Sequence, residues 1–247
     1  MAYERDKTRL GDALWALGFS EVERVADPAT NTQGYFTWGQ TPAKAYLVFR
    51  GTEKNFADIL TDLKFRKEPL GLPVNRINVH RGFKTAFNGV YGHCLSRCVK
   101  LWNRGFEIEA VGHSLGGALA ILAGYNDLAD YVTTFGAPRV GNTKFATVLS
   151  DFCIHRRYVH DADIVPRVPF LALGFRHDGP ALFFDYSGQL HADAGIWKEM
   201  SGLVQSYLNW DFKHGNVRAF TDHRIGGYID CLENLITPKG HQRSSVS

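Results

Sequence analysis

Hydrophobic and polar positions follow two rhythms along this chain, a period near two and a period near 3.6, and the two alternate. Leu10, Ala13, Leu14 and Leu17 recur at helical spacing and stop at Gly18, which predicts a helix laying one face on a core. Residues 34–38 and 44–49 read as strands around the turn-forming residues 39–42, and residues 82–102 as mostly helix. Phe106, Ile108 and Ala110 alternate with Glu107 and Glu109, predicting a strand over 106–111. An Ala- and Leu-rich helix is expected from Leu115 to about Leu128, followed by a strand over 131–135, a helix over 142–150 and a strand over 154–159. A last helix over 222–235 stops before Pro238. Strands alternating with helices imply a largely parallel sheet covered on both faces, so the fold class is α/β.

Nothing repeats at a fixed period, and no internal linker is rich in Pro, Gly and Ser. One domain over residues 1–239 is expected, with a flexible tail over 240–247. A chain of 247 residues buries roughly three quarters of its unfolded surface, enough for one sizeable core. With 45% hydrophobic and 21% charged residues, disordered, collagen-like and coiled-coil chains are excluded. Lys plus Arg number 28 against 25 Asp plus Glu, and no basic run could follow a phosphate backbone, which argues against nucleic acid as a partner. The longest uncharged apolar stretch, residues 115–125, is far short of the roughly 20 residues of a spanning helix. The first residues carry charge with no apolar run behind them. No secretory signal is visible, and a cytoplasmic location is expected, although a processed secreted form would look the same. Cys94, Cys98, Cys153 and Cys231 read as scattered free thiols of a reducing compartment.

The strongest chemical signal is Gly112-His113-Ser114-Leu115-Gly116, a Gly-x-Ser-x-Gly pentapeptide between a predicted strand and a predicted helix. A sharp strand-to-helix turn would strain the serine backbone and present its hydroxyl at the carboxyl edge of the sheet. The helix start behind it offers partial positive charge where an oxyanion would form. A serine hydroxyl needs a base oriented by a carboxylate, in the chain order Ser, acid, His for this architecture. His113 should point away from Ser114 and pack. On spacing alone His223 leads as the base, with His214 and His191 behind it. Asp163 leads as the acid because it follows a predicted strand end, and Asp161 competes. Directly after Thr52, apolar Phe56, Ile59, Leu60 and Leu63 oppose Asp58 and Asp62, giving a short amphipathic helix over 53–65. The uncharged stretch 168–175 reads equally as the wall of an apolar groove or as buried loop and strand. His160-Asp161-Ala162-Asp163 and His191-Ala192-Asp193 have no known ligand spacing, so no metal is assigned.

Several blocks in order carry a resemblance. Ser114's surroundings, with Phe49-Arg50-Gly51-Thr52, His80-Arg81-Gly82-Phe83, Phe135-Gly136-Ala137-Pro138-Arg139-Val140-Gly141-Asn142 and Asp163-Ile164-Val165-Pro166, resemble the class 3 (fungal-type) lipase family over about residues 44–232. The resemblance implies an α/β-hydrolase fold, with a central, mostly parallel twisted sheet flanked by helices and a short helical lid over 53–65. It implies a serine esterase acting on acylglycerols or related lipid esters, possessing no cofactor and meeting its substrate at a lipid–water interface. Activity on other esters, or a catalytically silent binding module, are the alternatives. It makes Ser114, Asp163 and His223 the catalytic triad, and Thr52 and Leu115 the oxyanion donors. Some relatives carry Trp where this chain has Ile59, which implies weaker interfacial activation.

Overall fold

The computed structural model describes residues 7–40, 42–51, 66–72, 75–161, 163–194 and 223–236. The amphipathic opening segment forms helix α1 (Lys7–Ala16) and ends before Gly18, whose φ of +86° breaks the helical path. Its expected apolar face is thinner than its spacing suggests. Leu14 is buried, but Ala13 and Leu17 are exposed.

Strands β1 (Glu21–Asp27), β2 (Thr32–Gln40) and β3 (Ala43–Phe49) form an antiparallel meander. From β3 inward the sheet turns parallel, through β6 (Glu107–His113), β7 (Tyr131–Phe135), β9 (Ile154–His160) and β11 (Ala181–Phe184). Antiparallel β12 (Leu190–Ala194) closes the edge, giving eight strands in the order β1-β2-β3-β6-β7-β9-β11-β12. A smaller antiparallel sheet joins β4 (Lys67–Pro69), β5 (Asn78–His80), β8 (Gly141–Asn142) and β10 (Phe175–Arg176). The expected α/β class, with its central, mostly parallel sheet, is present.

Helix α2 (Arg81–Trp102) places Phe83, Phe87, Val90, Cys94, Cys98 and Leu101 along one buried stripe, the spacing that a 3.6-residue period requires. The His80 imidazole caps its start, with Nδ1 accepting from the Phe83 N–H. Helix α3 (Leu115–Tyr125) is buried from Gly116 to Gly124, because it lies between the sheet and α2. Only Ala, Leu, Ile and Gly occur over that span, so α3 can press closely onto β6 and β7. Helix α4 (Thr143–Leu149) is capped by Asn142, whose Oδ1 accepts from the Phe145 N–H. Helix α5 (Ile225–Ile236) buries Tyr228 and Cys231 against Phe184 of the sheet. Phe36, Leu47, Phe49, Ile108 and Val132 are fully shielded within the main core. Each such side chain contributes about 1.5–3 kcal/mol of transfer free energy. All four cysteines are buried and none is in a disulfide. Burial pushes the thiols of Cys94, Cys98 and Cys153 up to about 12, which leaves them inert.

Candidate active site

Strand β6 ends at His113 and α3 begins at Leu115, leaving one residue to reverse the chain direction. That residue is Ser114, with φ +57° and ψ −127°. Such a backbone costs a non-glycine residue on the order of 1–3 kcal/mol and persists only where surroundings enforce it. The Ser114 N–H donates to the Phe135 carbonyl at 3.0 Å, and its carbonyl accepts from the Gly117 N–H at 3.0 Å. Side chains at positions 112 and 116 have no room. A Cβ on Gly112 would run into the Gly116 carbonyl, and one on Gly116 into the Phe49 carbonyl. The elbow expected from the pentapeptide is therefore present, held between β3, β7 and its own helix.

His223 stands just ahead of α5, with Nε2 at 2.8 Å from Ser114 Oγ. Its Nδ1 lies 3.1 and 3.0 Å from the two oxygens of Asp163. A carboxylate can only accept, so Nδ1 carries the proton and Nε2 is left to accept from the serine hydroxyl. Asp163 is fully buried. Its charge is balanced by two further donors, the Tyr228 hydroxyl at 2.6 Å on Oδ2 and the Val165 N–H at 2.9 Å on Oδ1. The backbone of the acid loop is tied down as well. Arg167 donates from Nε to the Asp163 carbonyl and from Nη2 to that of Asp161, and Arg139 donates to the carbonyls of Arg167 and Pro169. His177 donates from Nε2 to the Pro166 carbonyl at 2.7 Å.

Gly136 explains how the three side chains come so close to the sheet. Its φ is +58°, and a Cβ there would lie 2.5 Å from Asp163 Oδ2, 3.0 Å from Tyr228 Oη and 3.1 Å from His223 Nδ1. The absence of a side chain at the end of β7 makes the space in which Asp163, His223 and Tyr228 meet.

The competing sequence assignments separate cleanly. His191 is hydrogen-bonded to Asp185 at 2.7 Å, and His214 lies outside the described residues. Asp161 serves the loop that carries Asp163 through its backbone carbonyl, which accepts from Arg167. His113 was expected only to pack; its ring in fact stacks on that of His223, with centroids 4.7 Å apart. Tyr228 and Gly136 went unflagged as site residues. Tyr228 had one available signal, a tyrosine five positions after His223 in the helix expected over 222–235.

Leu115 N–H opens α3, ahead of the amides of Gly117 and Ala118 that turn back to Ser114 O. Thr52 and the amphipathic segment 53–65 lie outside the described residues, as does the tail 240–247. The stretch 168–175 is neither all core nor all wall: Val168 and Phe175 are buried, whereas Phe170, Leu171 and Leu173 are exposed. Among the described residues no cluster of metal-ligating side chains occurs, and no helix is long and apolar enough to cross a membrane.

Residues 46–173 match the family pattern described as Lipase (class 3). The lipase of Rhizopus niveus is 35% identical over 163 residues, covering 61% of this chain and 41% of that protein. Secreted mono- and diacylglycerol lipase 1 of Fusarium solani is 34% identical over 146 residues, covering 56% of this chain and 43% of that protein. The matched part thus spans less than half the length of these curated relatives. In structure, lipase II from Rhizopus niveus superposes with a TM-score of 0.63 at 30% identity, over 73% of this chain and 70% of that one. These relatives correct one expectation. Relatives from Fusarium solani and Penicillium cyclopium are named as secreted, so the cytoplasmic location does not stand. Its basis was weak physically, since a leader is removed on export and its absence does not report location. With the pattern spanning residues 46–173 and the α/β-hydrolase architecture around Ser114, the chain belongs to the class 3 lipase family.

Proposed function

We propose that this protein is a serine carboxylic ester hydrolase acting on acylglycerols or related lipid esters. The observation that carries the reading is the unbroken line of hydrogen bonds from Ser114 Oγ through His223 to the buried Asp163, at 2.8 and 3.0 Å. Ser114 attacks the ester carbonyl as His223 Nε2 takes its proton. Asp163 keeps the imidazole in the required tautomer and balances the cation that forms. The Leu115 N–H and the start of α3 face the developing oxyanion, with Thr52 proposed as the second donor by family likeness. His223 then returns the proton to the leaving alcohol, and water repeats the cycle to free the acid.

The lipid part of the reading is supported by the segment directly after the acid. Phe170, Leu171 and Leu173 stay more than 40% exposed there, an apolar run that a purely soluble substrate would not require. The relatives' names point the same way, and an extracellular location is proposed with them. The test is hydrolysis of p-nitrophenyl esters from C2 to C16, below and above their solubility limits. A rate that rises with chain length and jumps once droplets form supports a lipase. Activity confined to short soluble esters contradicts the lipid substrate, and no turnover above a Ser114→Ala control contradicts the enzyme.

A further inference from the structure

His223 precedes α5, and the bond pattern of that helix begins one residue later, with the Gly227 N–H donating to the Arg224 carbonyl. The His223 carbonyl is therefore outside the helical ladder and needs a donor from elsewhere. It receives one from His113, whose Nε2 lies 2.6 Å away. A carbonyl only accepts, so Nε2 of His113 carries the proton.

We propose that His113 is a positioning residue for the base, holding the His223 backbone through its Nε2–H and the His223 ring plane through stacking. This rests on the ester-hydrolase reading above. Four observations carry it. The hydrogen bond joins residues 110 positions apart, so it fixes tertiary placement rather than local shape. The two imidazoles stack at 4.7 Å with 28° between their planes. The His113 ring also meets the edge of Tyr228 at 6.1 Å, the same tyrosine that donates to Asp163. Finally, His113 is the chain neighbour of Ser114, so the end of β6 sets nucleophile and base together.

The donor is also the right chemical form. Burial and, next, the adjacent His223 together lower the His113 imidazole to about 4, so the ring stays neutral where a histidine base works. A neutral ring can lie against the imidazolium that His223 becomes during turnover, whereas a second cation would repel it.

The consequence is geometric. His223 must stand 2.8 Å from Ser114 Oγ and 3.0 Å from Asp163 at once. A shift of about 1 Å in such a constellation can cost about a hundredfold in rate. His113→Phe retains a stacking ring but removes the donor. His113→Gln removes the ring but places an amide N–H close to where Nε2 stood.

The experiment measures kcat and KM on p-nitrophenyl esters, the rate at which a p-nitrophenyl alkylphosphonate labels Ser114, and the urea unfolding midpoint of each variant. The expected result is a loss of about tenfold or more in kcat and in labelling for His113→Phe, with KM within about twofold and the fold intact. His113→Gln should recover labelling to within about threefold of wild type. Wild-type kcat and labelling in His113→Phe would overturn the inference. So would equal losses in both variants that track a lowered unfolding midpoint, since that is a packing role. If the wild-type protein neither turns over esters nor accepts the phosphonate, the ester-hydrolase reading fails and the inference falls with it.

Discussion

Two hydroxyl–imidazole–carboxylate chains stand in this fold with nearly the same distances. Ser114 Oγ is 2.8 Å from His223 Nε2, and His223 Nδ1 is 3.0 Å from Asp163. Thr134 Oγ1 is 2.9 Å from His155 Nε2, and His155 Nδ1 is 2.8 Å from Asp178. Residue types and bond lengths do not separate the set proposed as reactive from the other. Backbone placement does. Thr134 lies within β7, in register with Gly112 of β6 on one side and Arg157 of β9 on the other, so the surrounding amides serve the sheet. Its side chain is fully buried. Ser114 stands on a strained turn at the opening of α3, where amides have no ladder to join.

The carboxylates differ in a parallel way. Burial pushes the Asp178 carboxyl up, but the charge and hydrogen bond of His155 outweigh it, so Asp178 titrates below its ordinary range. That pair ties β9 to the loop at 177–180, beside the segment that carries the acid. Asp163 instead draws its donors from α5 and its own loop, which directs it to His223. The first set is proposed as the catalytic one, and the second braces the sheet under it.

The sharpest way to break this comparison is to remove each hydroxyl in turn. Ser114→Ala should lower kcat on a p-nitrophenyl ester by roughly a millionfold with no loss of stability. Thr134→Val should leave kcat within about twofold and cost on the order of 1–3 kcal/mol in urea unfolding, because His155 Nε2 loses its partner in a buried site. Next in size, Asp163→Asn should lower kcat by about ten thousandfold at neutral pH, since an amide no longer holds the required imidazole tautomer. Asp178→Asn should leave kcat almost unchanged and lower the unfolding free energy in the same assay.

A smaller effect separates the hydrogen bonds around the acid. Tyr228→Phe removes one charge-assisted donor from Asp163 and should reduce kcat by about tenfold, a loss of order 1.5 kcal/mol. An unchanged rate would mean that Val165 N–H and His223 alone suffice. The smallest effect is in acid stability. Burial holds His177 neutral, well below its ordinary 6.5, and Arg157 and Arg139 push the same way. The unfolded chain takes up a proton at this position as pH falls below about 6.5, and the folded chain does not. Stability should therefore fall on acidification, by at most about 1.4 kcal/mol per pH unit for this group. His177→Gln keeps a donor for Pro166 and should flatten that slope between pH 7 and pH 5.

The strained elbow at Ser114 was legible in the residues because it is local. Five residues, a strand before them and a helix after them suffice to define the Ser114 elbow. The pairing of Asp163 with His223 was less so, because the two lie 60 positions apart and meet only through tertiary packing. Spacing left His214 and His191 open, and the family likeness had to decide. His113 shows the limit of periodicity, which reports that a side chain turns off the serine but not what it meets. Helix α2 read well because its apolar residues form one buried stripe, and α3 because its span is apolar throughout. Strand β1 did not, since Glu21, Glu23, Arg24 and Asp27 leave Val25 as its one fully buried side chain. Strands β4, β8 and β10 span two or three residues, too short for any alternation to register.

The most direct test of the central claim is to treat the protein with a p-nitrophenyl alkylphosphonate and locate the adduct by peptide mass spectrometry. The account predicts one equivalent of p-nitrophenol released per chain, with the phosphonate on Ser114, no labelling in Ser114→Ala, and full labelling in Thr134→Val. An adduct on any other residue, or none at all in the wild-type protein, would contradict it.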